Sequence, residues 1–140
     1  MVGLIIVTHA RIAVELLRAA ESILGPLPQA RALPIERTDN PDEVAQLVAE
    51  IVHEVDGDGD GVMILTDMFG GTPTNVCMTQ LASARVEVVT AVNLPMILKF
   101  CSYRARMPLD DLASLLADSG RQAVQRVREL LQNPPERRDV

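Results

Sequence analysis

Two short, continuous apolar runs constrain this chain more than anything else in it. Gly3-Leu4-Ile5-Ile6-Val7-Thr8 and Val62-Met63-Ile64-Leu65 are rich in β-branched residues and do not alternate with polar ones. A strand of that kind buries both faces, so it belongs inside a parallel sheet covered by helices on each side. The first run ends on His9 and the second on Thr66-Asp67. Each therefore delivers an ionisable side chain to its C-terminal end.

The segments between them repeat one theme. Ile12, Ala13, Leu16, Leu17, Ala20, Ile23 and Leu24 recur at helical spacing, and Gly25-Pro26 closes that helix. Residues 30–36 read as a second strand. Asn40-Pro41-Asp42-Glu43 supplies an N-cap, a proline at the first helical position and a glutamate at the third. The helix it starts turns Val44, Leu47, Val48, Ile51, Val52 and Val55 inward. A third strand is expected over 61–66, a third helix over about 73–83 and a fourth strand over 86–91. Two further helices are expected near 109–118 and 120–132, divided at Ser119-Gly120. Residues 1–132 then form one domain, with 133–140 as a disordered tail.

Alternating strands and helices point to an α/β fold: a doubly wound, mainly parallel four-stranded sheet, in the order 2-1-3-4, with helices on both faces. In that order the sheet changes direction between strands 1 and 3. Ligands in such sheets bind beyond the strand C-termini at that switch point. His9 and Asp67 both fall there.

Composition narrows the partners. A net charge of −6 and a pI near 4.8 argue against nucleic acid and favour a basic protein partner. A hydrophobic share of 48% is that of a globular protein, and no apolar run approaches the ~18–20 residues of a membrane span. The N-terminus opens directly in a strand, without a signal-peptide profile. With Cys77 and Cys101 as the only cysteines, a cytoplasmic protein with reduced thiols is expected.

The crevice between the two strand ends has a definite chemistry. A histidine acting as nucleophile needs one ring nitrogen with a free lone pair, while the other is held as a donor. Asp67 is placed to accept that donor. Gly70-Gly71-Thr72 leads into a helix, and its backbone N–H groups suit an anion such as a phosphoryl group. Thr72 offers a hydroxyl for capping or for a phosphate oxygen, and Thr66 and Thr8 offer one each. No metal or other cofactor is required. A strand-end histidine also serves simply as a hydrogen-bonded structural residue, and Asp67 to Gly71 as a capped turn. The coincidence of both groups at the switch point favours the site.

Three other features compete for attention. His53 shares a helix face with Gln46, Glu50 and Glu54 and is read as solvated. Phe69 is either a hydrophobic plug or a partner anchor. Asp56-Gly-Asp58-Gly-Asp60-Gly61 matches the start of an EF-hand loop, with Asp67 where the terminal glutamate should stand. A strand follows where that motif needs a helix, so a solvated acidic turn is expected. The usual nucleotide-binding and hydrolase motifs are absent from the sequence.

Ile5-Ile6-Val7-Thr8-His9, Leu65-Thr66-Asp67-Met68-Phe69-Gly70-Gly71-Thr72-Pro73 and Val92-Asn93-Leu94-Pro95-Met96 resemble the mannose-type enzyme IIA domain of the phosphotransferase system (PTS) over roughly residues 1–132. The resemblance implies a homodimer in which His9 takes a phosphoryl group on Nε2 from phospho-HPr. It then passes the group to a histidine of a IIB component, while Asp67 holds Nδ1. It also implies membrane contact only through the permease complex. Ala10 departs from the glycine often found after the histidine, so the helix start is expected to differ slightly. With no IIB domain in the chain, the expectation is a separate IIB protein, or else a free-standing regulatory carrier without sugar transport. The related dihydroxyacetone kinase phosphoryl donor lies between these, with a less similar loop. Neighbouring genes for IIB, IIC and IID components would favour transport.

Overall fold

A computed structural model describes residues 1–83 and 85–134 of the chain. Four strands, β1 (Gly3–His9), β2 (Ala30–Ile35), β3 (Val62–Thr66) and β4 (Val86–Val89), form one sheet in the order β2-β1-β3-β4, with every pair parallel. The expected order is therefore the observed one. The helices are α1 (Ile12–Leu24), α2 (Pro41–Val55), α3 (Thr72–Met78), α4 (Leu94–Tyr103), α5 (Leu109–Gln122) and α6 (Val127–Gln132).

The two central strands divide their side chains between two cores, as a period of two requires. Leu4 and Ile6 of β1, with Met63 and Leu65 of β3, join Ala13, Ile97, Phe100, Leu112 and Leu116 from α1, α4 and α5. Ile5, Val7, Val62 and Ile64 point the other way, onto Val44, Val48, Ile51, Val76 and Cys77 of α2 and α3. All eight strand residues are fully buried, and each such side chain stabilises the fold by about 1.5–3 kcal/mol. Pro34 lacks an N–H and sits in β2, an edge strand where the sheet tolerates it.

Helix starts follow local chemistry. Asn40 caps α2 as expected, its side chain accepting from the N–H groups of Asp42 and Glu43 at 2.9 and 3.2 Å. At α1 the cap comes from further back. The Thr8 hydroxyl accepts from Ala13 N–H at 2.7 Å and donates to His9 O at 3.1 Å. Ala10, between them, is held at φ +47°, in the left-handed region.

Several expected boundaries move. A helix absent from the sequence reading, α4, is capped by Asn93, whose side chain accepts from Met96 N–H at 2.9 Å. The expected break at Ser119-Gly120 does not occur, because α5 runs through both residues to Gln122. Gly120 is buried there, and a Cβ on it would stand 2.5 Å from Met96 Cε. The third helix ends at Met78 and passes into a 3₁₀ segment, Thr79–Ala82. β4 stops at Val89; Ala91 turns at φ +60°, and Val92 N–H donates to Thr66 O at 2.9 Å. Of the expected tail, residues 135–140 lie outside the described residues.

Ala10 yields a test of this turn. An L-residue in the left-handed region costs about 1–2 kcal/mol, and the added freedom of an unfolded glycine offsets about half of that. Ala10→Gly is expected to raise Tm by about 2 °C in calorimetry. A fall in Tm would show that Ala10 is unstrained.

Candidate active site at the β1–β3 switch point

The parallel register places Val7 opposite Thr66, so the residues just beyond them meet. His9 N–H donates to Asp67 Oδ2 at 2.9 Å, and His9 Nδ1 lies 2.8 Å from the same oxygen. Oδ1, the other carboxylate oxygen, accepts from Met68 N–H at 3.0 Å. A carboxylate that receives three N–H groups has a single orientation, and it selects the imidazole tautomer with hydrogen on Nδ1. Nε2 then keeps its lone pair. Burial alone would raise the Asp67 pKa, but the hydrogen bonds and charge from His9 outweigh it and hold the carboxyl below its ordinary value. The His9 side chain is 44% exposed and that of Asp67 only 13%. The Nε2 edge of the ring is open while its support is covered.

The loop after β3 is held tightly to the imidazole. Gly70 turns at φ +86°, as few other residues would. A Cβ on Gly71 would fall 2.8 Å from His9 Cε1 and 3.3 Å from Nε2, so only glycine lets the backbone pass this close. Thr74, which sequence reasoning missed, pins the loop from below. Its hydroxyl donates to Met68 O, leaving Thr66 as the donor in the 2.7 Å Thr66–Thr74 hydroxyl pair. The Thr-Pro-Thr sequence was the available signal: the second hydroxyl falls in the first turn of α3, facing the strand end.

That pairing corrects two expectations. Thr66 is fully buried and its hydroxyl is directed at Thr74, so it is not offered to a ligand in the crevice. Thr8 is likewise fully buried and serves the α1 turn. Thr72 is exposed at the start of α3, where the first-turn N–H groups have no partner within the helix. Phe69 is 75% exposed, which removes the plug reading. Met68 in the same loop and Ile12 at the start of α1 are further exposed apolar side chains.

A cavity of about 230 Å³ adjoins the imidazole, lined by His9, Ile35, Glu36, Arg37, Asp39, Pro41 and Thr72. Its far wall is the β2–α2 loop, which sequence reasoning did not include. The signal was available in the topology: Ile35 is the register partner of His9, so the residues after it must border the same crevice.

The other two features stay away from the crevice. His53 is exposed in the last turn of α2. The acidic turn uses its carboxylates internally: Asp56 accepts from Gly61 N–H at 2.9 Å and pairs with Arg85 at 2.7 Å, while Asp58 and Asp60 hold the Met1 amino group. β3 follows it at once. Among the described residues no cluster of three His, Cys, Asp or Glu is arranged for a metal ion. None of the described helices is long and apolar enough to cross a membrane.

Known proteins share this arrangement. A family profile described as the PTS system fructose IIA component matches residues 3–116. The Escherichia coli K12 protein YadI, whose name marks it as a candidate phosphotransferase enzyme IIA component, is 30% identical over 96% of this chain and 93% of its own. The fructose-specific EIIA component of Bacillus subtilis 168 is 26% identical over 94% of this chain and 90% of its own. In structure, the mannose/sorbose-specific IIA subunit of Enterococcus faecalis superposes with a TM-score of 0.79 at 28% identity, covering 98% of each chain. The protein belongs to the mannose- and fructose-type IIA family of the phosphotransferase system, whose components are phosphoryl carriers.

Proposed function

We propose that this chain is the phosphohistidine carrier of a mannose-type sugar phosphotransferase system, taking a phosphoryl group from phospho-HPr on His9 and handing it to a IIB component. The observation that carries the reading is the 2.8 Å contact between His9 Nδ1 and Asp67 Oδ2, which in the neutral ring puts the free lone pair on Nε2, beside an open cavity. The Nε2 lone pair forms a bond to phosphorus as the donor's bond to phosphorus breaks, and the electron pair of that bond leaves with the donor. Nδ1 keeps its proton throughout. Asp67 offsets the positive charge that builds on the ring. The N–H groups of the Gly70-Gly71-Thr72 turn and the Thr72 hydroxyl are read as the cradle for the phosphoryl oxygens. Transfer to IIB is the same step in reverse, with His9 as the leaving group.

Exposed Phe69 supports a role as anchor for a protein partner, since a buried aromatic at the centre of an interface carries much of its energy. The apolar side chains Val124, Val127 and Leu131, exposed beyond α5, support the homodimer. The working location in this reading is the cytoplasm, with membrane contact through the permease alone.

Incubation with cognate enzyme I, HPr and phosphoenolpyruvate is expected to add one phosphoryl group per chain, labile in acid and stable in alkali. His9→Ala should abolish the label and His53→Ala should leave it intact. An unlabelled wild type, or equal labelling of His9→Ala, would sink the carrier reading.

Asp67→Asn is expected to preserve the fold and slow phosphoryl acceptance at least ~10-fold, because an amide no longer dictates the tautomer. Rapid-quench kinetics that show an unchanged rate would remove Asp67 from the mechanism.

Phe69→Ala should weaken association with the IIB partner about 10-fold in calorimetric titration while moving Tm by less than ~1 °C. Unaltered affinity would take Phe69 out of the interface.

A further inference from the structure

The cavity beside His9 has a charge problem that the His9–Asp67 pair does not solve. Glu36 and Asp39 both line it, and the Asp67 carboxylate lies just behind the imidazole. Asp39 is fixed in place, its carboxylate accepting from Glu36 N–H at 2.8 Å while its own N–H donates to Glu36 O at 3.1 Å. A phosphoryl group arriving on Nε2 brings further negative charge to a site already bordered by three carboxylates. Like charges lining one cavity disfavour one another.

One lining residue carries the opposite sign. Arg37 sits between Glu36 and Asp39 on the β2–α2 loop and, among the described residues, is the only lysine or arginine lining this cavity. Among the described residues it makes no ion pair, although eight ion pairs elsewhere engage Arg11, Arg18, Arg31, Arg85, Arg121, Arg126 or the amino terminus. An arginine beside two carboxylates that pairs with neither has its donors free. Guanidinium presents those donors in a planar fork matched to two phosphate oxygens. The cavity, at about 230 Å³, has room for a phosphoryl group together with that fork.

We infer that Arg37 is a phosphate-binding residue of this site, whose guanidinium pairs with the phosphoryl oxygens once the group is on His9 Nε2. The inference rests on the carrier reading above and deepens it. Arg37 acts on the phosphorylated form and leaves the unphosphorylated fold unaffected, since it is exposed and makes no ion pair there. The β2–α2 loop thereby becomes the counter-wall to the Gly70-Gly71-Thr72 turn. Cationic donors come from one side and backbone amides from the other.

The test compares wild type with Arg37→Gln and Arg37→Lys, using cognate enzyme I, HPr and phosphoenolpyruvate. The first reading is the equilibrium partition of phosphate between HPr and this protein. Arg37→Gln is expected to shift it about 3- to 10-fold toward phospho-HPr, the size of a partly solvated charge-assisted contact. Arg37→Lys should fall between, because a point charge keeps attraction but loses the fork. The second reading is the phosphorus resonance of the phosphorylated protein as a function of pH. A nearby guanidinium favours the dianion, so the resonance should titrate at lower pH in wild type than in Arg37→Gln. Identical partition and titration in wild type and Arg37→Gln would overturn the inference. Slower transfer with both readings unmoved would place Arg37 on the donor's docking surface instead, and also overturn it. A wild type that accepts no phosphate on His9 would overturn the carrier reading and this inference together.

Discussion

The geometry of the candidate site depends on one carboxylate reaching across from β3 to the end of β1. Asp67 receives two N–H groups of His9, one from the backbone and one from the ring, at 2.9 and 2.8 Å. The backbone contact fixes where the strand ends, and the ring contact fixes what the imidazole is. Neither forms unless β1 and β3 are adjacent, parallel and in the register that pairs Val7 with Thr66. A slip of one residue would turn both strands inside out, moving Leu4 and Ile6 into the wrong core. The two hydrophobic faces therefore act as the alignment device for the site. Packing of Ile5, Ile6, Ile64 and Leu65 is a stability term that also sets the distance between His9 and Asp67.

Holding that geometry against thermal motion requires the loops to be as determined as the sheet. Gly71 runs so close to the ring that a single methyl group would collide with Cε1. Thr74 ties Met68 and Thr66 together from beneath, and Thr8 ties the other strand end to α1. Two threonines that look like ligand hydroxyls in the sequence are thus internal braces. A hydroxyl at a fully buried strand end costs stability unless it is paired, and here each one satisfies a backbone or hydroxyl group that the turn would otherwise orphan. Ala10 shows the opposite balance. It sits in a left-handed conformation at the next residue, a strain that a well-determined turn can carry.

The sequence was legible where one signal acts alone. Apolar runs specified β1 and β3, and Asn40-Pro41 specified the start of α2. His9 and Asp67 followed from the strand order. Legibility failed where a residue has two physical uses. Gly120 reads as a helix stop, yet it lies inside α5 because α4 leaves no room for a side chain there. Asn93-Leu94-Pro95 carries a cap and a first-turn proline, but the residues after it are apolar on most sides, so no amphipathic period marks α4. Thr8 and Thr66 have the same chemistry whether they face a ligand or a turn, and only burial separates the two. Glu36, Arg37 and Asp39 form an ordinary charged loop until the topology brings β2 beside β1.

A carrier has a demand that an ordinary binding site lacks, since it must take its cargo and then lose it. If only cations and amides surrounded Nε2, the phosphorylated state would be a deep minimum and transfer onward would be slow. The carboxylates of Glu36, Asp39 and Asp67 around the cavity work against that outcome. In the proposed mechanism Asp67 makes Nε2 a better nucleophile and offsets charge on the ring, yet it also repels phosphoryl oxygens. The neighbouring carboxylates add to that repulsion without helping the ring. A cation opposite them brings the balance back toward acceptance. Under the proposed function, the mixed charge of this wall is thus a means of keeping the free energies of the two states close. Such a wall also fits an acidic protein that must meet a donor and an acceptor through one surface, because steering by overall charge and binding by local charge are then set independently.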